Sequence, residues 1–122
     1  MPENNKVVVN LSTGLEDPER VTVAFLVGGA ALQQGKQVAM FLTKEAVRLA
    51  TPGVAEAVAC EGCPPLSRLF EQYVEGGGEL LVCPYCFNAR KLDDSGMVSN
   101  ARIAGATPLF DWIGEGATVF SY

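Results

Sequence analysis

The sequence predicts a single-domain α/β fold, a mostly parallel sheet with helices on both faces, from three observations. Short β-branched or aliphatic runs alternate with stretches of helical spacing along the whole chain. Helix-start signals (an acceptor side chain followed by proline) and helix-stop glycines fall between them. The length, 122 residues, suits one domain, spanning residues 1–122, with one real core.

Lys6 to Leu11 is a short β-branched run and reads as a buried strand. Asp17-Pro18 is an N-cap followed by proline at the first helical position, and opens a helix over about residues 18–34. That helix is apolar almost all round from Val23 to Leu32, which predicts burial on two sides. Gly28-Gly29 within it permits close backbone approach, by the sheet or by another subunit. Gly35 stops the helix, and Lys36 to Leu42 is a second strand. Thr43 is placed to cap a short helix to about Ala50, and Thr51-Pro52-Gly53 is a turn. Val54 to Ala59 fits a helical turn or a strand, and Cys60 to Pro65 is a loop.

Leu66, Leu69, Phe70, Tyr73 and Val74 keep helical spacing until Gly76-Gly77-Gly78. Glu79 to Val82 is a strand that runs directly into Cys83-Pro84-Tyr85-Cys86, from which a helix continues to about Leu92. Asp93 to Gly96 is a solvated turn, and Val98 to Ile103 a weak strand. Thr107-Pro108 repeats the cap-then-proline signal for a helix through Trp112. Phe110 and Trp112 read as core or interface, and Gly116 to Tyr122 as a closing strand.

Composition removes several classes of chemistry. The chain has no histidine, so it has no imidazole base and no histidine metal ligand. Nine basic residues against 14 acidic ones, net charge −5, exclude a phosphate-neutralising nucleic-acid surface, and no polybasic segment addresses an anionic membrane. Val21 to Leu32, interrupted by Thr22, Gly28 and Gly29, is shorter than the ~20 residues of a membrane span. Met1 to Lys6 lacks the basic start of a secretory leader. A charged fraction of only 19% points to further surface buried in an oligomer.

Four cysteines form two C-x-x-C pairs, a redox or metal spacing that points to a reducing cytoplasm. In parallel sheets chemistry sits beyond the carboxyl ends of the strands, where Cys83 falls. There it meets helix-terminal N–H groups that favour a thiolate, with Arg90 and Lys91 a turn further on to add positive potential. Cys86 would resolve a mixed disulfide or receive a sulfur atom. Thr13 and Gly14, beyond the first strand, are candidates to line a pocket around Cys83 together with Arg90. Cys60 and Cys63 precede the second pair by 19 residues, a spacing that four-thiolate zinc sites use, so Cys60, Cys63, Cys83 and Cys86 form an alternative metal set. Glu61 between the first two opposes thiolate formation there. Cys-Pro-Tyr-Cys also resembles the glutaredoxin motif letter for letter, but only 36 residues follow Cys86, where glutaredoxins have most of their domain. A dithiol oxidoreductase is thus a third reading.

Nearly the whole chain resembles the DsrE/DsrF sulfur-relay family, which shares the YchN-like α/β fold. The resemblance is carried by Asn10 to Arg20 after the first strand and by Ala30-Ala31-Leu32 in the apolar helix. It continues through Gly35 to Thr43, Gly76-Gly77-Gly78 with Leu81-Val82-Cys83, and Gly116-Ala117-Thr118. It implies that Cys83 matches the cysteine after the fourth main strand, which accepts a sulfane sulfur as a persulfide and passes it on. The family cysteine is often alone, which makes Cys60, Cys63 and Cys86 additions. The resemblance also implies homotrimers or hexamers, and sulfur donor and acceptor proteins as partners. Persulfide transfer requires no cofactor, since sulfur itself supplies nucleophile and leaving group.

Overall fold

The computed structural model describes residues 5–122. Met1 to Asn4, on which the reading of the N-terminus chiefly rests, lie outside them. Among the described residues five strands form one sheet: β1 (Lys6–Leu11), β2 (Gln37–Leu42), β3 (Glu79–Val82), β4 (Ala101–Ile103) and β5 (Thr118–Ser121). Their order is β4-β3-β2-β1-β5, and every pairing is parallel. The helices are α1 (Pro18–Gln33), α2 (Leu66–Glu75), α3 (Pro84–Ala89) and α4 (Ala106–Ile113).

This order decides which face each helix covers. From β1 to β4 the chain steps one way across the sheet, and right-handed crossovers put every connection on one face. From β4 to β5 it steps back past β1, so the same handedness puts α4 on the opposite face. The packing agrees. Val7, Val9, Leu11, Val38, Met40, Leu42, Leu80 and Val82 alternate onto the main core with Phe25, Tyr73 and Phe87. Ala39, Leu81 and Ala104 point the other way, against Leu109 and Trp112 of α4.

Asp17 caps α1 as expected, its side chain accepting from Arg20 N–H. Within the chain, however, α1 is buried on one side only. Val21, Thr22, Ala24, Phe25 and Gly28 face the core, whereas Val23 and Leu26 are 37% and 43% exposed. Several local expectations are corrected. Thr43 precedes a 3-10 segment (Lys44–Ala50), but its side chain makes no capping bond. The ambiguous stretch after Gly53 holds a 3-10 turn (Ala55–Ala57) and no strand, so Cys83 follows the third strand of the chain and not a fourth. The helix after Cys83 ends at Ala89, because Lys91 takes a positive φ of 53° and breaks it. Thr107-Pro108 lies inside α4, whose N-cap is Gly105.

Tyr73 fixes the crossover that leads into β3. Its ring stacks edge-on against Phe25, with centroids 5.4 Å apart, and its hydroxyl donates to the Glu79 carbonyl at 2.8 Å. Burial pushes its phenol pKa up. Gly28 and Gly78 make room for the ring. A Cβ on Gly28 would lie 3.1 Å from Tyr73 Cε1, and one on Gly78 would overlap the ring outright. The close approach expected of Gly28 is thus met within the chain, while Gly29 faces open space.

Gly78→Ala is therefore expected to destabilise by about 1–3 kcal/mol through overpacking in urea unfolding. Gly28→Ala is expected to stay within about 1 kcal/mol of wild type, because helix propensity offsets a slight crowding. Equal losses at both positions would refute the clamp.

Candidate functional site

The ladder brings the carboxyl ends of the strands to one level. Leu11 pairs with Leu42, Leu42 with Val82, and Val82 with Ile103. The hydrogen bonds continue for one more residue: Thr43 N–H donates to Leu11, Cys83 N–H to Leu42 and Ala104 N–H to Val82. Ser12, Thr43, Cys83 and Ala104 therefore form a row just beyond the sheet. At about 4.8 Å per strand, Thr43 and Ala104 flank Cys83 and Ser12 lies two strands away.

Cys83 also occupies the topological switch point. The chain leaves β3 toward the main-core face and leaves β4 toward the α4 face, opening a crevice between the two strand ends. Gly105 sits across it from Pro84, and a Cβ there would lie 3.6 Å from the proline ring. Cys83 stands at the N-cap of α3, its carbonyl accepting from Phe87 N–H at 3.0 Å. Both Cys83 and Cys86 are free thiols of intermediate exposure. Cys86 packs against the main core, and Tyr85 between them is 86% exposed.

Gly14 and Arg90 belong to one supporting network. A Cβ on Gly14 would clash with the Glu45 carbonyl, so only glycine lets the loop after β1 rest on the 3-10 segment. The Glu45 carboxylate accepts from Arg90 Nε at 2.8 Å and from Arg48 Nε at 2.7 Å. Arg90 Nη1 donates to the Cys86 carbonyl at 3.1 Å. Glu45 thus ties the loops after β1, β2 and β3 together, and offsets the positive potential that the sequence assigns to Arg90. Arg90 first and Arg48 second hold the Glu45 carboxyl below its ordinary pKa. Lys91 is exposed beyond the end of α3. The Thr13 hydroxyl oxygen is buried without a hydrogen-bond partner.

Glu45 and Thr43 were not singled out from the sequence as site residues. Their only signal was position, immediately after a strand that ends level with β3. The four cysteines do not converge. Cys60 and Cys63 are joined as a disulfide, and among the described residues no group of three or more Cys, Asp or Glu side chains is placed to hold a metal ion. No described helix is long and apolar enough to cross a membrane.

Residues 5–122 match the DsrE/DsrF-like family. The uncharacterized protein MK0008 of Methanopyrus kandleri is 28% identical over 122 residues, 99% of this chain and 98% of that protein. The crystal structure of the YchN protein from E. coli superposes with a TM-score of 0.78 at 15% identity, covering 97% of this chain and 99% of that one. BT1422 from Bacteroides thetaiotaomicron, a conserved protein of unknown function, superposes at 0.63 and 15% identity, over 98% and 96% of the two chains.

A carboxylate held below its ordinary pKa contributes stability above that pKa and loses it as pH falls through the folded value. NMR titration of Glu45 is expected to show such a lowered midpoint, returning toward the ordinary carboxylate value in Arg90→Ala. An unmoved midpoint would show that Arg90 does not hold Glu45 in solution.

Proposed function

The chain belongs to the DsrE/DsrF-like family, and from that premise we propose that it relays sulfane sulfur as a persulfide on Cys83. The observation that carries this reading is the position of a free, partly exposed Cys83 in the switch-point crevice of the parallel sheet. The Cys83 thiolate attacks the terminal sulfur of a donor persulfide R–S–SH. The donor's S–S bond breaks, R–S⁻ leaves, and Cys83–S–SH remains. An acceptor thiolate then attacks the terminal sulfur, forms its own persulfide and regenerates the Cys83 thiolate. Neither transfer changes the number of electrons, so no external oxidant is needed and none of the steps requires a cofactor.

Cys86 supplies a second exit. Its sulfur attacks the inner sulfur of Cys83–S–SH, expels HS⁻ and leaves a Cys83–Cys86 disulfide for a later thiol to reduce. The exposed Tyr85 ring between them is a contact for donor and acceptor proteins. The relay needs Cys83 and Cys86 as free thiols, and the reading assigns the protein to the cytoplasm.

The outer side of α1 supports self-association into a trimer or hexamer. Val27, Ala30 and Ala31 face Phe120 of the edge strand β5 across an apolar cavity of about 390 Å³. Val119 on β5 is itself 52% exposed. An unpaired edge strand beside such a face is a surface that folded proteins ordinarily cover.

Two measurements test the proposal. Reduced protein incubated with a sulfane-sulfur donor is expected to gain the mass of one sulfur atom, lost in Cys83→Ser and retained in Cys86→Ser. A gain that survives Cys83→Ser would overturn the assignment. Light scattering is expected to give a trimer or hexamer, with Leu26→Glu and Phe120→Glu shifting it to monomer. A wild-type monomer would remove the oligomeric part of the reading.

A further inference from the structure

The persulfide relay does not use the Cys60–Cys63 pair. The two residues close a turn between the 3-10 turn Ala55–Ala57 and α2, with Cα atoms 5.3 Å apart. Cys63 N–H donates to the Cys60 carbonyl at 3.1 Å, and Gly62 supplies the positive φ of 81° that the turn needs. A disulfide that closes so short a ring removes little entropy from the unfolded chain, so it is poorly suited to be a structural staple. It is also accessible. Both cysteines line an open cavity of about 220 Å³ whose other walls include Glu56, Val58, Pro64 and Ser67.

The surroundings of the two sulfurs differ. The Thr22 hydroxyl donates its single hydrogen to the Pro18 carbonyl at 2.8 Å and lies 3.9 Å from Cys60 Sγ. It therefore turns a lone pair toward Cys60, which does not favour negative charge on that sulfur. Cys63 lies three residues before Leu66, which opens α2. Pro65 at the N-cap provides no side-chain cap, and the first turn contains no acidic residue. Leu66 and Ser67 of that turn line the same cavity, and the first amides of a helix lack intrahelical partners. Two carboxylates accompany the pair: Glu56 on the cavity wall, and the exposed Glu61 between the two cysteines in the chain.

We propose that Cys60–Cys63 is a second reactive site, which exchanges disulfide with low-molecular-weight thiols and prefers neutral or cationic ones. The incoming thiolate of such an aminothiol attacks Cys60 Sγ. The Cys60–Cys63 bond breaks, a mixed disulfide forms on Cys60, and Cys63 leaves as the thiolate beside the start of α2. A second thiol, as its thiolate, attacks the reagent sulfur of the mixed disulfide. The products are the reagent's own disulfide and the reduced Cys60, and the protons of the two thiols pass to the two cysteines. Two thiols are oxidised for each protein disulfide reduced, and the reaction runs in reverse with the small disulfide as oxidant. This site does not rest on the persulfide reading, since neither sulfur takes part in it.

The test uses the full-length oxidised protein, with Cys83→Ser/Cys86→Ser as a second sample in which only this pair can react. Cysteamine, 2-mercaptoethanol and thioglycolate are compared at equal thiolate concentration, and alkylation with peptide mapping reads the reduced fraction. Cysteamine is expected to react several-fold faster than thioglycolate at low salt, and added salt to narrow the gap. Separately, cystamine is expected to leave a stable mixed disulfide on Cys60 in Cys63→Ser. A pair that resists all three thiols until the protein unfolds would overturn the proposal, as would a thioglycolate rate equal to that of cysteamine. Normal persulfide formation in Cys60→Ser/Cys63→Ser would confirm that the two sites are independent. Loss of persulfide in that variant would instead join this pair to the relay and overturn the separation.

Discussion

The handedness of crossovers in a parallel sheet is the constraint on which the rest of this structure depends. Three right-handed connections in one direction lay α1, α2 and α3 on one face. The single reversal toward β5 forces α4 onto the other. Because β3 and β4 are adjacent and their connections diverge, a crevice must open at their carboxyl ends. Cys83 is the residue that the chain places there. Its position is thus a consequence of topology, and would survive large changes in the loops around it.

Tyr73 and Glu45 make that topology accurate in different ways. Tyr73, seated between Gly28 and Gly78, joins α1 and α2 and hydrogen-bonds to the first residue of β3. It therefore controls how α2 delivers the chain into the strand that ends at Cys83. Glu45 acts at the opposite end of the sheet. Its backbone supports the loop after β1, and its carboxylate holds Arg90, which in turn holds the Cys86 carbonyl. One network is buried and apolar with a single polar anchor. The other is half-exposed and ionic, and so contributes position more than stability.

The two C-x-x-C pairs share a spacing and differ in everything around it. Cys83 follows a strand and opens a short helix, in a row of residues fixed by ladder hydrogen bonds. Cys60 and Cys63 close a turn ahead of a longer, uncapped helix, and are bonded to each other. Identical motifs are therefore read by the elements that carry them. The letter-for-letter glutaredoxin match of Cys-Pro-Tyr-Cys illustrates the same point, for it sits after β3 of a DsrE/DsrF-like sheet.

Much was legible in the residues alone. Lys6 to Leu11 and Glu79 to Val82 are strands because β-branched and aliphatic runs bounded by turns leave no other way to bury themselves. Asp17-Pro18 starts α1 because an acceptor and a fixed φ suit that one position. The same logic failed at Thr107-Pro108, where glycine at position 105 let the helix begin earlier. It failed again at Arg90, whose charge is engaged by a residue 45 positions away. The sequence by itself determined the strands, the alternation with helices, and a cysteine at a strand end, since these depend on neighbours within a few residues. Only the tertiary structure decided that Glu45 binds three loops together, that Thr43 flanks Cys83, and that the two cysteine pairs do not converge. Those are distances between segments remote in the chain, set by crossover direction and strand register rather than by any local preference.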